Sequence, residues 1–283
     1  MKEGHLYYPG CTLKTKGKDY EDSAKKVMEK LGEPLVEMED WYCCGAVQSL
    51  SEDDIMKQIA PIRTMLCAQE QGEKEVVTLC DMCYNVLKQA NERMKEKEDD
   101  LETMNEFLDE DPDYEAEVEV YHLFDILKER KEDIETAVEN PLDDMILAPY
   151  YGCMLLRPDH VAIDKTEDPQ ILESLLESLG AEVLDNEKRT ECCGSYHTVN
   201  RSEIVEKRTE DIVSNAVRNG AEAIVLSCPL CHFNLDYHQR TTDFEIPIFY
   251  LTELMALAFG LDIEMEEHNI DPKSLLEEKG FKE

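Results

Sequence analysis

Apolar positions along the chain fall into two kinds of run. Short blocks bounded by glycine, proline or acids have the length of buried strands: His5-Leu6-Tyr7-Tyr8-Pro9, Pro34-Leu35-Val36, Glu75-Val76-Val77-Thr78-Leu79 and Val118-Glu119-Val120-Tyr121. Between them the apolar residues recur at helical spacing. Tyr20, Ala24, Val27, Met28 and Leu31 predict a helix capped by Asp19 and stopped at Gly32; Ile55, Ile59, Ile62 and Leu66 predict one from Ser51 to Gly72, with Asp54 as a weak capping-box signal. A helix through Val86 and Leu87 follows the third block, and one with Phe124 and Leu127 follows the fourth.

The same plan then repeats. Met145 to Pro149, Ala181 to Leu184, Ala223 to Leu226 and Ile246 to Tyr250 are strand-like. Helices are expected from Asp168-Pro169 to Gly180, from a Ser202 cap to Gly220, and from Leu251 to Phe259. Strands alternating with helices predict an α/β fold: two tandem repeats of an open, mostly parallel sheet flanked by helices, related by a pseudo-two-fold axis. Asn140-Pro141 divides a domain over residues 1–141 from one over 142–283. Residues 91–116 are dense in charge and read as a solvated insertion, and the polar tail from Leu261 receives no role.

Composition narrows the function. An apolar content of 42% supports packed cores. The net charge of −36 repels nucleic acid and anionic lipid, so neither is an expected partner. No apolar leader opens the chain and no stretch is long enough to span a bilayer, so a cytoplasmic protein is expected. Eleven cysteines in such a protein point to metal or redox chemistry rather than structural disulfides.

Ten of those cysteines form two sets of five: Cys11, Cys43, Cys44, Cys80 and Cys83, then Cys153, Cys192, Cys193, Cys228 and Cys231. Each has a lone cysteine, a Cys-Cys-Gly and a C-x-x-C. The step from Cys11 to Cys43 is 32 positions and from Cys153 to Cys192 it is 39; from Cys44 to Cys80 it is 36 and from Cys193 to Cys228 it is 35. Cys67 lies beside an apolar stripe and reads as a core thiol. Cys11, Cys80, Cys153 and Cys228 each fall just past the carboxyl end of a predicted strand, where open α/β sheets place their sites. The helix after each C-x-x-C offers N–H groups that stabilise thiolate charge. Five thiols overfill one tetrahedral zinc and cannot fill two, and adjacent cysteines diverge too far to share one small ion. The run of cysteines typical of cubane ferredoxins is missing. An unusual polynuclear iron–sulfur group is therefore favoured over zinc with a spare thiol and over paired redox disulfides. Gly45 and Gly194 are expected to allow a tight turn and close backbone approach to cluster sulfur.

At these residues the chain resembles the cysteine-rich CCG-domain family, and within it the B subunits of heterodisulfide reductases. The second half departs slightly from the family pattern, with 34 residues between Cys193 and Cys228 where the pattern has 35 or 36. The resemblance implies two non-cubane [4Fe-4S] clusters, one on each set of five cysteines. It implies reductive cleavage of the coenzyme M–coenzyme B mixed disulfide to two thiols, with each cluster taking one sulfur. It also implies partners: the iron–sulfur C and flavin-bearing A polypeptides of heterodisulfide reductase and, through them, a hydrogenase or formate dehydrogenase. The chain itself carries no flavin or dinucleotide fingerprint, so electrons must come from another polypeptide. The domain also occurs in lactate and glycolate oxidation proteins and in one component of some succinate dehydrogenases. An electron-transfer component of that kind and a zinc-stabilised assembly module are the competing readings.

The disulfide named by the resemblance is anionic, so a strongly acidic protein must supply local positive charge to receive it. Lys14, Lys16 and Lys18 follow Cys11, Arg157 and His160 follow Cys153, and His197 and Arg201 follow the second Cys-Cys-Gly. These are the candidate anchors, with His197 a candidate proton donor. His122 and His232 are expected to pack.

Overall fold

The computed structural model describes residues 4–281, apart from Glu52, Asp111 and Asp243 and the side chains of Val47 and Thr241. Strands β1 (His5–Tyr8), β2 (Leu35–Glu37), β3 (Glu75–Thr78) and β4 (Glu119–His122) form one sheet in the order β2-β1-β3-β4. Strands β5 (Ile146–Pro149), β6 (Glu182–Val183), β7 (Ala223–Leu226) and β8 (Ile248–Tyr250) form a second in the order β6-β5-β7-β8. Every pairing is parallel, in both halves. Fully parallel sheets need both faces covered, which is why β7 is buried at every residue. In each sheet the chain leaves the first strand for one edge and returns on its other side. The gaps between β1 and β3 and between β5 and β7 are therefore topological switch points.

Several expected boundaries moved for identifiable reasons. The first long helix is Lys18–Lys30, with Gly17 rather than Asp19 at its N-cap. The Asp19 carboxylate instead accepts the Glu267 N–H at 2.9 Å. The helix expected from Ser51 begins at Ile59, because the chain after the first Cys-Cys-Gly winds through two short 3-10 turns, Ala46–Leu50 and Ile55–Gln58. Asp54 caps the second turn by accepting the Met56 N–H at 3.0 Å. Before helix Ile171–Ser178 the Asp164 carboxylate accepts the Gln170 and Ile171 N–H groups, so that helix starts later than Asp168-Pro169 predicts. Ser202 is the first residue of helix Ser202–Arg218 and makes no capping bond.

Two regions read as solvated are packed. Residues 91–96 complete helix Asp81–Glu96, and Glu98–Leu108 is a further helix. Met94, Met104, Leu108 and Tyr114 are buried, and Tyr114 donates from its hydroxyl to Asn91 Oδ1 at 2.6 Å. The charges hide an apolar stripe that belongs to the core of the first half. Past Leu261, Asp236 accepts the N–H groups of Asn269 and Ile270 at 2.6 and 2.9 Å, His268 pairs with Glu253, and helix Lys273–Glu278 buries Leu276. The tail is an ordered strap over the second half.

The halves meet through paired helices. Helix Lys18–Lys30 packs on Leu251–Ala258, the helix after β8. Tyr20 stacks on Tyr250 with ring centroids 4.0 Å apart, and the Ser23 and Thr252 hydroxyls meet at 2.7 Å. The symmetry-related contact sets helices Leu123–Lys128 and Lys131–Ala137, after β4, against Ile171–Ser178. One continuous core results.

Candidate metal centre

Each switch point gathers one set of five cysteines. Cys11 lies in the short helix Gly10–Leu13 just after β1, and Cys80 is the N-cap of Asp81–Glu96 just after β3. Cys153 and Cys228 stand in the matching places after β5 and β7, with Cys228 the N-cap of helix Pro229–Tyr237. Tyr8 and Tyr150 fix the Cys-Cys-Gly loops against the strands. Each donates its hydroxyl to the residue before the pair, Tyr8 to the Tyr42 carbonyl at 2.9 Å and Tyr150 to the Glu191 carbonyl at 2.6 Å.

Within the first set Cys11 and Cys43 sulfurs are 3.8 Å apart, and those of Cys44 and Cys83 are 3.4 Å apart. In the second set Cys193 and Cys231 are 3.2 Å apart. All are free thiols. The first set is more open: Cys11 and Cys43 are exposed, whereas Cys153 and Cys192 are half-buried, and the Tyr196 hydroxyl donates to Met154 Sδ, next to Cys153 in the chain, at 3.2 Å. Cys67 is half-buried, joins neither set and has its thiol pushed up to about 11 by burial.

Gly45 and Gly194 both take left-handed backbone, with φ of +80° and +83°, and start the turns after each pair. Backbone donors follow: Ala46 N–H to Cys44 Sγ at 3.4 Å and Gly194 N–H to Cys192 Sγ at 3.3 Å. Hydrogen bonds from Cys43 and Cys83 hold Cys44 down to about 4. Those from Cys153 and Cys193 hold Cys192 down to about 2, while Cys43 and Cys153 are driven up by the same bonds. Crowded thiols share protons because like charges this close cannot all ionise; a cationic centre removes that conflict.

The two sets meet. Cys80 and Cys228, both buried, are neighbours across the junction between halves, and the influence of Cys228 first, then of Cys83, lowers Cys80 to about 6. Around this contact the halves are pinned by Asn85, whose Nδ2 donates to the Met154 and Arg157 carbonyls at 2.7 Å, and by Tyr84, which donates to the Val161 carbonyl at 2.9 Å.

Among the described residues no three His, Cys, Asp or Glu side chains converge as ligands of one mononuclear ion do. The donor set in each half is all sulfur, the choice of soft, thiophilic centres such as iron–sulfur groups and zinc. A second observation fits a group held close to the chain: a Cβ on Gly10 would lie 3.1 Å from Cys83 Sγ, and one on Gly152 3.3 Å from Cys231 Sγ. The sets therefore fit a thiolate-held polynuclear group.

Other candidates divide. Lys14 is clamped between Glu21 and Glu37 at 2.7 and 2.6 Å, and Arg157 donates to the Thr190 carbonyl at 3.1 Å and lies 3.5 Å from Glu167. Lys16, Lys18, His160, His197 and Arg201 are exposed. His122 and His232 pack, as their sequence positions imply. His122 Nδ1 accepts the Phe124 N–H at 3.2 Å, and His232 stacks on Tyr250 with centroids 4.3 Å apart. The inter-half residues Tyr84, Asn85 and Ser227 were missed by sequence reasoning, since nothing local marks a contact made across the pseudo-axis. Asp81 carried a signal: an acid stands inside the first C-x-x-C and none inside the second.

With this geometry in place, the model of the cysteine-rich domain CCG matches residues 5–88 and 147–236. The chain belongs to the CCG cysteine-rich domain family. It is 30% identical to the membrane anchor of the 8-methylmenaquinol:fumarate reductase of Wolinella succinogenes, over 92% of this chain and 94% of that one. It is 27% identical to the B subunit of the ferredoxin/F420H2-dependent CoB-CoM heterodisulfide reductase of Methanosarcina acetivorans, over 89% and 88%. It is 28% identical to a protein of Archaeoglobus profundus that is named as like the heterodisulfide reductase B subunit, over 90% of each. A hypothetical protein from Helicobacter pylori shares the fold, with a TM-score of 0.73 at 12% identity over 93% of this chain and half of that one. As a CCG protein of the heterodisulfide reductase B type, the chain has two complete copies of the domain. No described helix is long and apolar enough to cross a membrane.

Proposed function

We propose that this chain is the disulfide-cleaving component of a heterodisulfide-reductase-type complex, with two non-cubane [4Fe-4S] clusters. Cys11, Cys43, Cys44, Cys80 and Cys83 hold the first; Cys153, Cys192, Cys193, Cys228 and Cys231 hold the second. The observation that carries this reading is the junction beside Cys80 and Cys228, where Ser227 donates to Asp81 at 2.7 Å and the two sets of thiols flank one seam. A mixed disulfide has two sulfurs to receive and needs two electrons and two protons to become two thiols. When bound, the clusters supply those electrons one at a time. The chain's own residues position and shield: Tyr8 and Tyr150 fix the ligand loops, and Tyr84 and Asn85 lock the halves. Lys16, Lys18 and Arg201, all exposed, receive an anionic substrate such as the coenzyme M–coenzyme B disulfide, and His197, also exposed, serves as the proton donor. Electrons arrive from partner iron–sulfur and flavin polypeptides.

A second reading is favoured by the similarity to the fumarate reductase anchor, namely a redox component of a quinone-linked fumarate or succinate enzyme. Protein prepared without oxygen separates the readings. The first expects about eight irons per chain and reduction of the coenzyme M–coenzyme B disulfide by an artificial reductant. Iron-loaded protein that leaves the disulfide intact would shift the assignment to the second, and zinc in place of iron would overturn both.

A further inference from the structure

The pseudo-two-fold axis fails at one buried place beside the sulfur contact. Asp81, the first residue of the helix after Cys80, reaches across the junction, where its Oδ1 accepts the Ser227 hydroxyl at 2.7 Å. Ser227 directly precedes Cys228. His122 Nε2 stands 3.3 Å from the same oxygen. Because His122 Nδ1 accepts the Phe124 N–H, its Nε2 carries the proton and donates to the Leu79 carbonyl at 3.2 Å, with Asp81 Oδ1 beside it. Asp81, His122 and Ser227 are all buried. In the other half the counterparts of Asp81, Ser227 and His122 are Pro229, Leu79 and Tyr250, none of them acidic. Among the described residues no lysine or arginine pairs with Asp81.

We propose that Asp81 makes the two centres unequal: its carboxylate reaches across the junction to the residue before Cys228 and holds the second-half centre at the lower reduction potential, with the Ser227 hydroxyl moderating that charge. The inference rests on the cluster assignment of the proposed function. A carboxylate in a water-poor site favours the more positive, oxidised form of a nearby redox group, and net charge and hydrogen bonding are the levers that set such potentials. A neutral contact works the other way, Asn234 Nδ2 donating to Cys193 Sγ at 3.6 Å, but a long neutral bond is weaker than a buried charge. Two centres of unequal potential give an order to electron arrival: the first-half centre fills before the second.

The test is a potentiometric titration, followed by electron paramagnetic resonance, of oxygen-free, iron-loaded protein without substrate. The wild type is expected to reduce in two resolved steps. Asp81→Asn keeps the shape and removes the charge, so the lower step should rise and the separation narrow. Ser227→Ala keeps the charge and removes its donor, so the lower step should fall and the separation widen. Opposite shifts cannot come from a merely structural role, which would disturb both variants alike. Either variant alone decides by the direction of its shift. Steps that do not move, or that move the same way in both variants, overturn the role of Asp81 while leaving the cluster assignment standing. Iron-free protein overturns both.

Discussion

Gly10 and Gly152 bring the backbone close to the two sets. Both have left-handed φ, +67° and +65°, and both lie against a C-x-x-C sulfur. Alanine at either costs about 1 kcal/mol of backbone strain and also pushes on Cys83 or Cys231. Gly10→Ala is therefore expected to lose iron from the first set and Gly152→Ala from the second, each variant falling from about eight irons to about four when measured by metal analysis after oxygen-free purification. A second residue-scale effect lies in the strap. Burial opposes a charge on His268, but the Glu253 carboxylate 3.0 Å away outweighs it and holds the imidazole up at about 9. A histidine whose folded pKa lies above its unfolded value stabilises fully below about pH 6.5 and loses that contribution as pH rises to about 9. In urea unfolding between pH 6 and pH 9.5, the wild type should lose on the order of 1–3 kcal/mol more than His268→Gln. Parallel curves for the two proteins would show that the pair does not carry charge.

At the scale of elements, the junction depends on one helix face. Asn85 satisfies two carbonyls of the 154–161 loop, and Asn85→Ala leaves both without that donor, at a cost of about 2 kcal/mol. The expected result is a lower melting temperature with an unchanged urea m-value; a change of less than about 0.5 kcal/mol would mean that water replaces the amide. The strands and the cysteine placements were legible in the sequence because they rest on local patterns: short apolar blocks, glycine stops and a duplicated spacing. The helix starts at Ile59 and Ile171 were less so, because two 3-10 turns take up the chain before the first and Asp164 caps the second from a loop whose path depends on distant packing. Residues 91–116 misled for a related reason: Met94, Met104 and Leu108 are widely spaced among charges, and only the folded first half shows that they share one buried face. Cys80 meeting Cys228 was likewise beyond local pattern, since it belongs to the docking of the halves.

For the whole molecule, the helices packed against each other across the junction decide whether a single half is a folding unit. The halves meet helix against helix: Lys18–Lys30 on Leu251–Ala258 on one side, Leu123–Lys128 and Lys131–Ala137 on Ile171–Ser178 on the other. Cutting at residues 141 and 142 would expose Tyr20 and Tyr250, stacked and nearly unexposed in the intact chain, together with the buried Leu172, Leu175 and Leu176. These are large apolar side chains, each worth about 1.5–3 kcal/mol when buried, against a domain stability of about 5–15 kcal/mol. Fragments 1–141 and 142–283 made separately are therefore expected to aggregate or to lack cooperative unfolding. Made together, they should associate and recover iron binding in both sets, because the missing surface of each is supplied by the other. Separate fragments that fold cooperatively and bind about four irons each would contradict this, and would mean that the ligand sets need only their own sheets. If the association holds, the two metal sites are formed in one folding event. Duplication has then produced not two independent modules but one body with both sulfur sets at its seam.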